Sequence, residues 1–197
     1  MTPQAQSILD MFRSTGAYLQ GHFRLTSGLH SSEYLQCALV LQHPEAAEKL
    51  GRLLAGQIRT LAAEPVSVVV SHALGGLIIG HEVARALGTP FLFTERDPAT
   101  RKMSLRRGFS VAPGQTAVVI EDVITTGGST QDVIDVLRAS GACVLAAGSI
   151  IDRSGGHADV GVPRVALATL QVETHQPEQC PLCAAGVPVV KPGSRPT

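Results

Sequence analysis

The sequence of 197 residues contains no Trp, and aromatic residues make up only 4% of it. It also lacks an apolar run close to the roughly 18 residues that a membrane-spanning helix needs. The most apolar stretch, residues 66–80, is interrupted by Ser71, His72 and a pair of glycines. The N-terminal residues MTPQAQS contain no basic stretch followed by an apolar one, so they do not resemble a secretion signal. We therefore expect a cytoplasmic protein that does not enter a membrane.

An excess of charge is also missing, because 16 Lys and Arg residues balance 16 Asp and Glu residues. A neutral chain has no general attraction for nucleic acid or anionic membranes, so we expect neither as a partner. Cysteine is scarce, and Cys37, Cys143, Cys180 and Cys183 are too scattered for a disulfide framework. We expect free thiols, with Cys143 in a buried strand.

What the sequence does contain is a regular pattern of apolar residues. The length suits one domain with a sizeable core. A first helix is predicted from four residues on one face, Ala5, Ile8, Leu9 and Phe12. Gly16 is its expected C-cap, and residues 21–32 are expected to be irregular. A second helix is predicted to begin near Pro44 and to end before Pro65.

Beyond residue 64 the pattern changes to short aliphatic strands separated by helices. The predicted strands are residues 66–71, 90–94, 116–121, 143–151 and 165–170, and the predicted helices are 76–87 and 130–139. Runs such as VSVVV and TAVVIE do not alternate with polar residues, which is typical of parallel strands covered on both faces. This pattern predicts an α/β domain with a parallel sheet of about five strands, flanked by helices. The Pro-rich tail after Thr174 is expected to be extended or irregular.

Residues 118–130 read VVIEDVITTGGST and carry the most specific motif of the chain. Ligands of open α/β sheets bind at the carboxyl ends of the strands, where this motif places two carboxylates and a Thr/Gly/Ser loop. Glycine amides and a helix N-terminus suit a phosphate. Glu121 and Asp122 would repel a polyphosphate, but they can accept hydrogen bonds from vicinal hydroxyls. A ribose diol next to a phosphate satisfies both requirements.

Other readings of the motif fit less well. A P-loop needs a lysine after the glycines, and a dinucleotide site needs G-x-G-x-x-G, and neither pattern is present. An ordinary strand, turn and helix with a Ser or Thr N-cap is the plainest alternative. Such a turn does not require Glu-Asp followed by Thr-Thr-Gly-Gly-Ser.

The motif resembles the signature of type I phosphoribosyltransferases. The resemblance implies that the acidic pair holds the ribose hydroxyls of 5-phosphoribosyl 1-diphosphate and that the loop binds its 5′-phosphate, with Asp122 as a catalytic residue. It also implies a small hood over the 64–172 core, built from residues 1–63 and the tail 173–197. The implied donor-binding residues are Glu121, Asp122, Val123, Ile124, Thr125, Thr126, Gly127, Gly128 and Ser129.

Two flanking segments resemble orotate phosphoribosyltransferases in particular. In FRLTSGLHSSEYL, the residues Thr26, Ser27 and Gly28 precede an aromatic, Tyr34, that in the family packs on the base. In SIIDRSGG, Arg153 resembles the family's orotate-contacting arginine, and a guanidinium fork suits a planar anionic base. The plainer alternatives are a core aromatic and a surface cation. The resemblance implies orotate binding by Tyr34, Thr125 and Arg153, and Mg²⁺-dependent synthesis of orotidine 5′-phosphate for pyrimidine nucleotides.

The segment between Thr94 and Thr116 is rich in arginine and lysine. Taken alone, it is a solvated hairpin with a charged face. Its position resembles the mobile loop of orotate phosphoribosyltransferases, which closes over the neighbouring subunit's site. The resemblance implies a homodimer in which loop 95–108 serves the partner, with Arg96 binding the donor and Lys102 catalytic. Such a loop could supply the positive charge of two lysines that many family members carry. One lies at the position of Thr26, and the other lies in the segment that here reads SHALGG, residues 71–76.

Residues 180–183 read CPLC, which is the spacing of half a zinc site, and His175 lies nearby. A structural zinc site needs four ligands and no second cysteine pair follows, so a turn packed over the hood is the preferred interpretation and no protein metal ligand is assigned. Two other functions stay open. They are a purine-base phosphoribosyltransferase, and a non-catalytic regulator that senses the donor.

Overall fold

The helices and strands that surround the motif are described by a computed structural model covering residues 2–25 and 27–192. The predicted site position Thr26 lies outside these residues. The strands are β1 Tyr18–Arg24, β2 His30–Leu35, β3 Val68–His72, β4 Phe91–Arg96, β5 Met103–Leu105, β6 Thr116–Ile124, β7 Cys143–Asp152 and β8 Arg164–Thr169. The α-helices are α1 Pro3–Ser14, α2 Cys37–Leu41, α3 Pro44–Leu61, α4 Gly76–Leu87, α5 Gly128–Ala139 and α6 Pro181–Ala184.

The central sheet has the order β5-β4-β3-β6-β7-β8 in the described part of the chain. Every neighbouring pair is parallel except β4 and β5, which are antiparallel. The sheet thus has six strands instead of about five, because the 95–108 loop folds back and adds the short strand β5. The α/β prediction is confirmed. The strand β6, which carries the acidic pair, lies in the interior of the sheet between β3 and β7.

Both faces of the sheet are buried, as the unbroken aliphatic runs predict. Val69 of β3 packs on one face with α1, α3 and α4, whereas Val68 and Val70 pack on the other face with α5. Side chains of a strand alternate between faces, so a strand with helices on both sides needs apolar residues at every position. No helix of the described residues is both long enough and apolar enough to cross a bilayer.

The N-terminal segment differs from the expectation that residues 21–32 are irregular. Strands β1 and β2 form an antiparallel hairpin with an irregularity between Gln20 and Phe23. The C-terminal tail extends this small sheet through bridges from Val190 to Phe23 and from His175 to His30. The sequence conceals the hairpin because its strands carry many polar residues and because the tail that bridges to them lies at the opposite end of the chain.

Two further expectations need correction. The tail is not wholly irregular, since it contains a 3₁₀ turn, Pro177–Gln179, followed by the single helical turn α6. Cys143 lies in a strand as expected but is exposed, because it occupies the first position of β7 at the rim of the sheet. All four cysteines are free thiols in the structure.

Candidate active site

The acidic pair lies at the carboxyl end of β6, beside the end of β3. Glu121 is buried, and its Oε2 lies 2.6 Å from Nε2 of His72, the last residue of β3. The other oxygen of Glu121 accepts a hydrogen bond from the Asp122 amide at 3.2 Å. The Asp122 carboxylate accepts one from the Val123 amide at 2.8 Å. Glu121 is thus held by the protein, while Asp122 faces the cleft.

Burial and mutual charge shift the pKa values of this group. Burial, reinforced by the negative charge of Glu121, raises the pKa of Asp122 to about 7. Burial lowers the pKa of His72, but the hydrogen bond and charge of Glu121 outweigh this effect and raise it to about 9. At neutral pH the site therefore holds a protonated His72 next to Asp122, a carboxylate that takes up a proton near pH 7.

The loop between β6 and α5 forms an anion-binding turn. Gly127 has a φ of +83°, and a Cβ built there would lie 2.7 Å from Cγ1 of Val160, so both backbone and space favour glycine. Thr125, Thr126, Gly128 and Ser129 are exposed. The loop lines a cavity of about 240 Å³ together with His72 and the acidic pair. Amides at the start of α5 suit a phosphate.

The segment that joins β3 to α4 reads SHALGG over residues 71–76, and its backbone packs directly against Asp122. A Cβ on Gly75 would lie 2.7 Å from Oδ1 of Asp122. A side chain at this position would displace the carboxylate. This contact explains why the chain has a glycine here, and it leaves His72 as the cationic side chain nearest to the acidic pair in this segment.

A second cavity, of about 460 Å³, opens beside the first. Its walls come from the β1–β2 hairpin, from the end of β6 and its loop, and from residues near the start of the tail, and they include Tyr34 of β2 and Arg153, which follows β7. Burial lowers the pKa of Arg153, and its buried Nε has no hydrogen-bond partner among the described residues. Burial also raises the pKa of Tyr34. The cavity therefore contains an unsatisfied cationic donor next to an aromatic ring.

The two cavities share four residues from the motif, Asp122, Val123, Thr125 and Thr126. The structure thus brings together all the sequence-predicted positions of the acidic pair, the loop, Tyr34 and Arg153. The side chain of Ile124 is buried and its carbonyl accepts the Arg153 amide at 2.8 Å, so Ile124 contributes backbone alone.

Arg96 and Lys102 are not part of this cleft within one chain. They line a separate cavity with residues of α5, and Arg96 forms an ion pair of 2.6 Å with Asp132. His72, in contrast, belongs to the site although the sequence did not single it out. The available signal was its position at the end of a strand parallel to the motif strand, since such ends meet at one edge.

Comparison with known proteins agrees with this geometry. The family described as "Phosphoribosyl transferase domain" matches residues 38–177. The orotate phosphoribosyltransferase of Pelotomaculum thermopropionicum is 53% identical over 188 residues, covering 95% of this chain and 96% of that protein. The crystal structure of orotate phosphoribosyltransferase from Aeropyrum pernix has a TM-score of 0.65 at 30% identity, covering 83% of this chain and 94% of that one.

The fold alone extends to enzymes with other names. A Trypanosoma brucei adenine phosphoribosyl transferase structure has a TM-score of 0.63 at 18% identity, covering 85% of this chain and 80% of its own. The family therefore follows from the sequence match over nearly the whole length and not from the fold. By that match, this chain is a phosphoribosyltransferase that belongs to the orotate phosphoribosyltransferase family.

Proposed function

We propose that this protein transfers the 5-phosphoribosyl group of 5-phosphoribosyl 1-diphosphate to orotate, giving orotidine 5′-phosphate and pyrophosphate. It would thus act as a pentosyltransferase in pyrimidine nucleotide synthesis. The observation that carries the proposal is the pair of adjoining cavities that share Asp122, Val123, Thr125 and Thr126. A sugar phosphate in one cavity directs its anomeric carbon towards a base in the other.

The base cavity, which is the cavity of about 460 Å³ lined by Tyr34 and Arg153, favours a planar anion. Arg153 is half-buried and has an unpartnered Nε, so an anionic ligand would supply a partner for a partly desolvated charge. A carboxylate on the base can accept two parallel hydrogen bonds from a guanidinium group. Tyr34 offers a ring for stacking from the hairpin side of the cavity. Adenine and hypoxanthine carry no carboxylate and would leave Arg153 unpaired.

The donor cavity, which is the cavity of about 240 Å³ lined by the acidic pair and the loop after β6, suits ribose 5-phosphate. The loop amides bind the 5′-phosphate, and Asp122 accepts hydrogen bonds from the ribose hydroxyls. Burial and the negative charge of Glu121 raise the pKa of Asp122, so a hydrogen bond from a ribose hydroxyl or a nearby cation would stabilise its charged form. These hard oxygen donors fit Mg²⁺, which would neutralise the diphosphate when bound with the donor.

The chemistry requires no nucleophilic side chain. Displacement at an anomeric carbon gives the sugar oxocarbenium character, and charge develops on the departing pyrophosphate. The protein orients base and donor through Arg153 and Asp122. His72, protonated at neutral pH, places a positive charge beside the donor cavity.

The proposal includes a homodimer whose loop 95–108 completes the partner's site. In that loop Arg107 pairs with Glu95 at 2.9 Å and Arg96 pairs with Asp132, so both are engaged within the chain. Three other loop cations, Arg101, Lys102 and Arg106, have no side-chain hydrogen bond or ion pair with the described residues. They are the loop cations best placed to serve a second subunit. Lys102 is the proposed catalytic cation, with Arg96 supporting the donor-binding conformation of the loop.

The deciding experiment is a pyrophosphate-release assay with the donor and Mg²⁺ and with one base at a time. Orotate should turn over, whereas uracil, which is orotate without the carboxylate, should turn over at least about 100-fold more slowly. Faster turnover of adenine or hypoxanthine would assign the protein to purine bases. Binding of the donor without turnover of any base would indicate a sensor.

A further inference from the structure

Four metal-binding side chains converge outside the proposed active site. His22 of β1, His30 at the start of β2, and Cys180 and Cys183 of the tail have their ligand atoms within 4.8 Å of one another. Three of the four residues are buried, and Cys183 is exposed. The cluster joins two segments from opposite ends of the chain.

The nitrogen and sulfur atoms of the cluster lie close to one another. Nε2 of His22 lies 2.9 Å from Nδ1 of His30, 3.4 Å from Sγ of Cys180 and 3.7 Å from Sγ of Cys183. Sγ of Cys183 also lies 3.2 Å from Nδ1 of His30. The four ligand atoms therefore lie close enough together to contact one ion.

Hydrogen bonds among these groups do not account for the arrangement. Nδ1 of His22 lies 2.7 Å from the carbonyl oxygen of Val187, which can only accept, so this nitrogen carries the proton. Nε2 of a neutral His22 then has one lone pair, although three groups crowd around it. A single lone pair can accept one linear hydrogen bond, whereas a cation at the centre engages all four groups at once.

We propose that this cluster is a structural Zn²⁺ site with His22, His30, Cys180 and Cys183 as its four ligands. Two thiolates and two imidazoles are a ligand set that zinc prefers in closed tetrahedral sites. Bonds of roughly 2.0–2.3 Å in a tetrahedron separate the ligand atoms by about 3.3–3.8 Å. The four distances given above run from 2.9 to 3.7 Å, and all the ligand atoms lie within 4.8 Å, so small side-chain shifts would bring them to this geometry. The bond from His22 to Val187 orients the ring so that Nε2 faces the ion.

Backbone hydrogen bonds on both sides of the cluster fix the segments that carry the ligands. On one side, the amides and carbonyls of His30 and His175 exchange two hydrogen bonds of 2.9 Å. On the other, the Val190 amide donates to the His22 carbonyl at 2.8 Å. The side chain of His175, the histidine that the sequence placed near CPLC, lies instead 3.9 Å from Glu173.

The site would fasten the tail to the hairpin that forms one wall of the base cavity. Residues Leu25, Ser27, Leu29 and Tyr34 of the hairpin segment line that cavity, as do Thr174 of the tail and Val172 just before it. A two-stranded sheet is marginally stable by itself, so it gains from a metal cross-link. The ion has no open coordination position for chemistry, and the Mg²⁺-dependent reaction does not involve it.

The first test is the metal content of the full-length protein, purified with a reducing agent and dialysed against buffer containing Mg²⁺ alone. Mass spectrometry should find one zinc per chain. Cys183→Ser, at an exposed position, should retain less than a tenth of it, while the matched control Cys143→Ser, also exposed, should retain all of it. Zinc at wild-type content in Cys183→Ser would overturn the assignment, as would its absence from the wild-type protein after incubation with zinc chloride.

A second measurement does not depend on how a variant folds. Replacement by Co²⁺ should give the visible absorption of a tetrahedral ion with thiolate charge transfer, and zinc should displace it. A zinc-selective chelator in excess Mg²⁺ should lower the melting temperature by several degrees, reversibly. An octahedral Co²⁺ spectrum would refute the site. A Cys180–Cys183 disulfide that persists after treatment with a reducing agent would also refute it. The orotate assay is independent of these readouts, so failure of either proposal is recognisable by itself.

Discussion

Nε2 of His72 lies 2.6 Å from Oε2 of Glu121. His72 ends β3, and Glu121 lies three residues before the end of the neighbouring parallel strand β6, so the sheet itself sets their separation. The pair neutralises Glu121 inside the protein and leaves Asp122 to face the donor cavity. We propose that Glu121 is the carboxylate held by His72 and that Asp122 is the carboxylate that binds the ligand, in a cavity that both residues line.

This ion pair predicts that the stability of the unliganded protein falls in alkaline solution. Because the pKa of His72 is raised from 6.5 to about 9, its stabilisation is complete below pH 6.5 and is lost as the pH rises through about 9. The loss should amount to at most about 3 kcal/mol. Thermal unfolding between pH 6 and 10 should show the fall in the wild type and a flatter profile in His72→Gln. His81→Gln, on the exposed surface of α4, is the control and should behave like the wild type; an equal fall in His72→Gln would disprove the role.

Asp122→Asn should reduce kcat/KM by about 100-fold or more without destabilising the protein. The raised pKa of Asp122 means that folding disfavours its charge, so a neutral amide should leave the melting temperature unchanged or slightly higher. Asp10→Asn, on the exposed side of α1, should change neither quantity. Turnover of Asp122→Asn near the wild-type rate would contradict the assignment.

Arg153→Ala should raise the KM for orotate by about 10- to 100-fold, which corresponds to a lost charge-assisted pair. The KM for the phosphoribosyl donor should change little, because Arg153 lines the base cavity and not the donor cavity. Arg153→Lys should recover little, since an ammonium group lacks the fork. Initial rates at varied orotate and saturating donor measure the effect, with Arg52→Ala on α3 as the control. An unchanged KM for orotate would remove Arg153 from the base site.

Subunit mixing should show whether the loop acts across a dimer. A Lys102→Ala/Arg106→Ala variant and an Asp122→Asn variant should each be inactive. If loops act in trans, a heterodimer contains one site with both defects and one with neither, so random exchange should restore about a quarter of the sites. If each loop serves its own subunit, every site keeps one defect and the mixture stays inactive.

Local pattern was sufficient for much of the core. Helix α4 was predicted with the bounds that the structure shows, and α3 begins at the predicted Pro44. In both cases the apolar spacing that predicts the helix lies within the element itself. The hairpin β1–β2 was missed because its polar strands are stabilised by the tail, and Cys143 was misjudged because the rim of a strand is exposed while its middle is buried.

The sequence by itself determined the donor motif, because a strand, an acidic pair, a glycine loop and a helix start follow one another along residues 118–130 and need no distant partner. It also determined the α/β class, since apolar periodicity records which faces are buried. Only the tertiary structure decided that His72 meets Glu121, that Arg153 faces Tyr34 across one cavity, and that His22 and His30 meet Cys180 and Cys183. Each of these contacts joins segments far apart in the chain, and their proximity follows from strand order and packing, which spacing along a sequence does not encode.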